Sequence, residues 1–184
     1  MLRSWRFGFG MILRLTFYIA ITVAFLPIIR GQADAQAVAA FDFELIDTSL
    51  EGATNGLRAD EQARLDRLSD QLRQRLTDSG RFSLVDITPI ASEARASNLQ
   101  ACGGCDTRLA KRLGAELAIT GTVQKVSNLI LNMNIYIREV SSGRTIAAMS
   151  ADMRGNTDES WSRTLDWLIR NRLLAPGYGA RQAP

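Results

Sequence analysis

The sequence predicts an α/β (α+β) fold: a mixed parallel and antiparallel sheet of about five strands with helices packed on one face. Two stretches carry this prediction. Residues 102–126 combine a CGGC turn, a short helix that ends at Gly114, and a strand from Leu117 with a period of two. Residues 131–153 alternate in the same way around the turn Ser141-Ser142-Gly143, which is typical of an antiparallel hairpin. The predicted order of elements is β-α-β-(α)-α-β-β-β-α.

Residues 1–35 have the composition of a signal peptide. Arginines precede a short apolar run, Leu15–Ile29, and Ala33-Asp34-Ala35 fits an A-x-A cleavage site. We therefore expect a mature chain that begins at Gln36, is periplasmic or secreted, and contacts the membrane only through the signal peptide before cleavage. An uncleaved N-terminal anchor is the alternative. No cysteine directly follows the apolar run, so a lipid-anchored form is not indicated.

Removal of the signal peptide makes the chain neutral. Of 22 basic and 19 acidic residues, residues 1–35 contain four arginines and one aspartate, which leaves 18 of each sign. A neutral chain lacks the basic patch that nucleic-acid binding requires, so we expect no nucleic-acid partner. The remaining length suits one hydrophobic core. We predict a single α/β domain over residues 36–175 and a disordered tail over residues 176–184.

The first predicted strand, Val38–Ile46, has one apolar and one acidic face. The apolar face contains Phe41, Phe43 and Leu45, and the acidic face contains Asp42 and Glu44. The segment Asp47–Ala59 that follows lacks periodicity and is expected to be a surface loop.

Leucines at positions 65, 68, 72 and 76 form one helical stripe, so Asp60–Ser79 is predicted as the longest helix, packed on the sheet. It leads to a second strand, Phe82–Ile87, as in a parallel crossover. A coiled-coil partner is the alternative, but the stripe is shorter than three heptads. Thr88-Pro89 begins a weaker helical segment. A last helix has Trp161, Leu165 and Leu168 on one stripe.

Several motifs resemble known families. The segment Leu113–Val123, LGAELAITGTV, resembles the "LGAd-hhhhG-hh" segment (h apolar) of TolB amino-terminal domains and of CsgG-like outer-membrane export proteins. The opening AFDFELIDTS, the CGGC pair and the helix W-x-x-x-L-x-W-L-I-R-N-R-L-L resemble a family of small secreted bacterial proteins of unknown function. These resemblances imply a periplasmic domain. They do not imply a pore, because a lipid-attachment cysteine and a long amphipathic insertion are both missing from the sequence.

The sequence contains little catalytic chemistry. It has no histidine, which excludes histidine-dependent triads and removes the commonest metal ligand. Its two lysines, Lys111 and Lys125, are in no Ser-x-x-Lys element, and no phosphate-binding glycine loop is present. Asp42 and Glu44 could pair as acid and base, but alternate acids are ordinary on a solvent-facing strand. We therefore predict no catalytic residue, no cofactor and no metal site.

Cys102 and Cys105 are the sharpest chemical feature of the sequence. In an exported protein a C-x-x-C pair usually forms a stable disulfide, whose role here would be to fix the turn. A redox-active pair before a helix and metal ligation shared with another chain are the alternatives.

Two functions remain. The first is a non-enzymatic binding or accessory module of the bacterial envelope that acts through protein contacts, with an envelope protein as partner. An uncovered sheet edge is one candidate surface. The other is a polar sheet face opposite the helices, formed by Asp42, Glu44, Thr120, Thr122, Asn132, Asn134, Tyr136 and Arg138. The second function is a small periplasmic thiol-disulfide redox protein that uses the CGGC pair.

Overall fold

Six strands and five α-helices lie within residues 35–176, the part of the chain that this computed structural model describes. The strands are β1 (Gln36–Ala40), β2 (Glu44–Asp47), β3 (Phe82–Leu84), β4 (Leu117–Lys125), β5 (Leu131–Glu139) and β6 (Thr145–Met153). The helices are α1 (Leu50–Asn55), α2 (Ala59–Asp78), α3 (Ala91–Ala96), α4 (Cys105–Arg112) and α5 (Asp158–Leu168), with a 3-10 turn at Thr88–Ile90 and a π-helical turn at Ile169–Leu173. Residues 1–34 of the predicted signal peptide and 177–184 of the predicted tail lie outside the described residues.

The six strands form one mixed sheet, which confirms the predicted fold class. The order across it is β3-β1-β4-β5-β6, and β2 also pairs with β4. β1 is parallel to β3 and to β4, and β2 is parallel to β4. β4, β5 and β6 are antiparallel neighbours, as the predicted hairpin requires. β2 therefore lies in line with β1, beside the second half of β4.

A β-bulge splits the predicted first strand into β1 and β2. Between two pairs of opposed residues, β4 advances three positions, from Ile119 to Thr122, whereas the first strand advances four, from Ala40 to Glu44. The additional residue reverses the alternation of side chains. Phe41 therefore packs on one face of the sheet and Phe43 on the other. The prediction that both lie on the same face is wrong.

Helices cover both faces of the sheet. α2 and α5 pack on one face, in the larger of two apolar clusters, and α3 and α4 pack on the other, around Phe41 and Ala118. The prediction that the helices share one face is wrong because α3 and α4 have six and eight residues, too few for periodicity to reveal which side of the sheet they cover.

The main core contains the predicted apolar stripes. The four leucines of α2 are no more than 4% exposed, and Trp161 of α5 is 1% exposed. On β4, Gly121 faces this core, and the ring of Phe43 occupies the space that a side chain at position 121 would need. The helix-facing orientation predicted for Gly121 is therefore correct.

The segment predicted as a loop between the first strand and α2 contains a short helix, α1. The Ser49 hydroxyl accepts a hydrogen bond from the Gly52 N–H at its start (3.0 Å). None of its residues is buried. α1 is therefore held by polar contacts, which is why an apolar pattern could not reveal it.

Candidate binding groove beside β2

β3 is shorter than the sequence predicts, and this leaves a position beside β2 without a strand. The predicted strand reaches Ile87, but β3 ends at Leu84. The Asp86 carboxylate then accepts a hydrogen bond from the Thr88 N–H (2.9 Å), and Pro89 is the second residue of the 3-10 turn, so the chain turns away toward α3. Among residues 35–176, no strand pairs with the outer edge of β2.

An open groove of about 570 Å³ occupies this position. β2 forms its floor. One wall consists of α1 and the first turns of α2, and the other consists of α3 and the segment that follows it. Past the bulge the groove continues into a second cavity of about 460 Å³. The two cavities share Asp42, Ile87, Ala91 and Arg95.

The backbone of β2 presents hydrogen-bonding groups to the groove. The Thr48 N–H donates to the Lys125 carbonyl oxygen (2.9 Å), next to the opposed pair Asp47 and Lys125. Backbone groups alternate in direction along a strand, so the amides of Ile46 and Glu44 also point toward β4. The N–H and C=O groups of Leu45 and Asp47 point the other way, into the groove.

The same edge is capped at the bulge by side chains from α2. The Ser69 hydroxyl accepts a hydrogen bond from the Phe43 N–H (2.9 Å) and donates to the Leu65 carbonyl oxygen (2.8 Å). The Arg73 guanidinium donates to the Ala40 carbonyl oxygen. The free part of the edge therefore begins after Phe43.

Charges are balanced at the bulge end of the groove. The Asp42 carboxylate accepts hydrogen bonds from Arg73 and from Arg95, the latter at 3.0 Å. Burial alone would raise the pKa of Asp42, but these two guanidinium groups hold it below its ordinary value. Asp86 also lines this end.

Two other carboxylates in the groove have no cationic partner among the described residues. Glu44 accepts a hydrogen bond from the Leu99 N–H (3.0 Å). Burial raises the pKa of Glu44, and the negative charge of Asp106 raises it further. The hydrogen bond from Leu99 acts in the opposite direction but does not cancel the rise. Asp66, on α2, accepts a hydrogen bond only from the uncharged Gln62 amide (2.9 Å). The part of the groove beside β2, which Glu44 and Asp66 line, is therefore acidic.

A buried lysine fixes the α1 wall. The Lys125 side chain is inaccessible to solvent, and its Nζ lies 2.7 Å from Glu61, 3.0 Å from Glu51 and 3.2 Å from Asp47. Burial would lower the pKa of Lys125, but hydrogen bonds to these three carboxylates raise it instead. Glu51 also accepts a hydrogen bond from the Asn128 amide (3.0 Å). The cluster joins α1, α2 and β2 to the end of β4.

The polar face predicted from the sequence is not one accessible surface. The segment between α3 and α4 covers its β4 part, where Thr120 and Thr122 are each 2% exposed and the Gln100 amide donates to the Thr120 hydroxyl (2.7 Å). Periodicity places both threonines on this face but cannot show what packs over them.

The other members of that face are dispersed. Asp42 is at the bulge and Glu44 lies in the groove, while Arg138 donates to the Asp106 carboxylate (3.1 Å). The remaining three, Asn132, Asn134 and Tyr136, stay partly exposed on β5.

Cys102 and Cys105 form a disulfide at the start of α4, with 5.7 Å between their Cα atoms. The Cys105 N–H also donates to the Cys102 sulfur (3.2 Å). The bond closes the turn that follows Leu99, a residue of the groove wall. The disulfide therefore lies next to the groove without lining it.

Periodicity in the sequence does not identify Ser69, Asp66 or Lys125 as parts of this site. Ser69 is a polar residue inside the leucine stripe of α2, and Lys125 occupies a core-facing position of β4. A polar residue at a core-facing position is a signal that a partner must be present. Asp66 gives no such signal, because an acid on the wet side of a helix is ordinary.

Within residues 35–176, no helix is long and apolar enough to cross a membrane. The same residues contain no group of three or more histidine, cysteine, aspartate or glutamate side chains that could hold a metal ion.

Comparisons with known proteins give a family and several similar folds. The family model described as "Protein of unknown function (DUF2380)" matches residues 36–173. No curated protein matches the chain.

Among solved structures, the LpoB C-terminal domain from Salmonella enterica has a TM-score of 0.47 and 15% identity, over 68% of this chain and 87% of that one. Lipoprotein GNA1162 from Neisseria meningitidis has a TM-score of 0.41 and 14% identity, over 73% and 91%. TolB from Acinetobacter baumannii has a TM-score of 0.42 and 14% identity, over 73% of this chain and 27% of that one. At these values, no function is inferred from the three structures.

Proposed function

The chain belongs to the family described as "Protein of unknown function (DUF2380)", and we propose that it is a non-enzymatic accessory module of the bacterial envelope that acts through protein contacts. Its binding site is the groove beside β2, which receives an extended segment of a partner protein. The observation that carries this proposal is the unpaired backbone edge at Leu45 and Asp47, recessed between α2 and α3.

The recessed edge favours one kind of occupant. An exposed edge strand pairs readily with the edge of another sheet, and this promotes aggregation. Because helical walls bound the groove on both sides of β2, we expect it to admit a single extended chain and to exclude a whole sheet. Such a chain would lie in line with β3 and continue the sheet beside β2.

The groove offers an occupant both hydrogen bonds and apolar surface. Leu45 and Asp47 each provide one N–H and one C=O, and a typical hydrogen bond contributes about 0.5–1.5 kcal/mol net. Ile46 and Leu57 line the groove, and their side chains are 37% and 52% exposed, so an occupant would bury apolar area as well. After the entropy cost of association, affinity on the order of micromolar is expected for a short segment.

The envelope location is supported by residues 1–35, whose sequence has the pattern of an export signal. Under this proposal the partner is an envelope protein.

A groove-blocking variant tests the proposal. Display libraries of random twelve-residue peptides are selected on the mature chain, and selected peptides are measured by fluorescence anisotropy. Ala91 lines the groove, so Ala91→Trp should abolish binding. Ser92→Trp is the matched control, because Ser92 is the next residue of α3, is exposed and does not line the groove. Equal binding by both variants would show that the peptides bind elsewhere and would contradict the proposal.

The redox function inferred from the CGGC pair is the second candidate, because Cys102 and Cys105 are bonded to each other in the structure. Equilibration with glutathione distinguishes the two. A structural disulfide resists reduction at glutathione potentials, whereas a redox-active pair exchanges with the buffer. Replacement of both cysteines by serine should leave peptide binding intact if the groove is the functional site.

A further inference from the structure

We propose that the groove selects extended segments that carry lysine or arginine beside β2, past the bulge. This inference rests on the proposed function, because it names the chemistry of the segment that the groove receives. It follows from the distribution of charge along the groove.

The bulge end needs no further charge. There, two guanidinium groups, from Arg73 and Arg95, lie with two carboxylates, from Asp42 and Asp86. Asp42 accepts hydrogen bonds from both arginines. An occupant would meet a cluster of zero net charge at this end, in which Asp42 is paired with both arginines.

Beside β2, past the bulge, the described part of the groove holds no unpaired cation. Glu44 and Asp66 line it, and no Lys or Arg among the described residues forms an ion pair with either. Lys125 is close by along the chain, but its side chain is inaccessible to solvent and already contacts three other carboxylates. Arg95 also lines this cavity, but its guanidinium is paired with Asp42.

The two free carboxylates lie on opposite sides of an added strand. Glu44 points toward the α3 wall, where it meets Leu99, and Asp66 belongs to the α2 wall. Successive side chains of a strand point to opposite faces, so neighbouring residues of the occupant would face the two acids in turn. A basic residue at either position gains a partner, and an acidic one meets repulsion at both.

Glu44 gains the most from such a partner. It is half-buried, and desolvation already disfavours its charged form, as its raised pKa indicates. A cation brought in by the occupant would offset this cost. The selectivity is therefore tied to occupation of the groove itself rather than to the net charge of the protein, which is neutral over residues 36–184.

The test uses the same random twelve-residue display library, selected in parallel on the wild type and on two double variants. Glu44→Gln with Asp66→Asn removes both charges while it retains an acceptor for Leu99 and for Gln62. The control, Asp78→Asn with Glu116→Gln, removes two exposed charges outside the groove. Asp78 matches Asp66 closely, because it lies on α2 and accepts a hydrogen bond from Gln74, four residues earlier (2.7 Å).

The inference predicts that peptides selected on the wild type and on the control are enriched in lysine and arginine relative to the unselected library. The enrichment should vanish on the groove variant. A basic peptide from the wild-type selection should bind the groove variant about fivefold more weakly at low salt, since each exposed ion pair contributes a few tenths to one kcal/mol.

The outcomes separate the two proposals. Peptides that Ala91→Trp excludes but that show no basic enrichment would overturn the charge selectivity and leave the groove function standing. Selection of no peptide that depends on an open groove would overturn both. Equal basic enrichment on the wild type, the control and the groove variant would place the preference outside Glu44 and Asp66 and would also overturn this inference.

Discussion

Replacement of Lys125 by methionine should destabilise the fold strongly. The substitution keeps the length of the side chain but leaves Glu61, which is also inaccessible to solvent, without its cation 2.7 Å away. At an effective dielectric constant of about 20 that contact alone is worth about 6 kcal/mol before desolvation. Because burial of the lysine had a cost of its own, we expect a net loss of about 3–5 kcal/mol in the free energy of unfolding.

Urea denaturation of the mature chain, followed by circular dichroism, measures this loss. The matched control is Lys111→Met, which replaces the only other lysine of the chain at an exposed position of α4 and should change stability by less than about 0.5 kcal/mol. Adding Glu61→Gln to Lys125→Met should recover part of the loss, because it removes the uncompensated charge and keeps an acceptor for Asn156.

The pH dependence of the variant provides a second criterion. In the wild type burial would raise the pKa of Asp47, but hydrogen bonds from Ser49 and then from Lys125 hold it below its ordinary value, so its contribution is present at neutral pH and is lost as the pH falls. Without the cation, Asp47, Glu51 and Glu61 would be left as uncompensated negative charge, which protonation relieves as the pH falls. The deficit of Lys125→Met should therefore shrink between pH 7 and pH 5. A deficit below about 1 kcal/mol, or one that is equal at both pH values, would refute the assignment of a buried ionic cluster.

Three other predictions concern the core and the export signal. Gly121→Val should cost about 1–3 kcal/mol in urea denaturation, because its side chain would fall on the Phe43 ring; unchanged stability would mean that the glycine faces solvent. Leu72→Ala should cost about 2–5 kcal/mol, since Leu72 is 0% exposed; a cost below about 0.5 kcal/mol would place the stripe at a dissociable surface. The intact mass of exported protein should correspond to a chain that begins near Gln36, and a mass that retains Leu15–Ile29 would contradict the predicted cleavage.

Local patterns in the sequence were sufficient for the elements with long, regular periodicity. The leucine stripe of α2 and the alternation along β5 identify both elements and the side that each one buries. The turn at Ser141-Ser142-Gly143 likewise identifies the hairpin of β5 and β6. The leucine stripe and the alternation of β5 each extend over at least nine residues, so one irregular position does not hide them.

The candidate site depends on features that alternation cannot show. The bulge at Phe41–Phe43 results from one additional residue relative to β4, a comparison that requires the strand register. Thr120 and Thr122 have the polarity of an exposed face, yet the segment that contains Gln100 packs over them. The groove itself arises because β3 ends early. The sequence predicts an uncovered sheet edge but does not show which strand provides it.

Amide hydrogen exchange along β2 tests the central claim most directly. In the free protein the Leu45 and Asp47 N–H groups point into the groove and should exchange faster than those of Glu44 and Ile46, which point toward β4. On binding a peptide selected on the mature chain, the Leu45 and Asp47 amides should become protected, whereas those of Glu44 and Ile46 should change little. Protection that is absent at Leu45 and Asp47, despite saturated binding, would contradict strand addition at this edge.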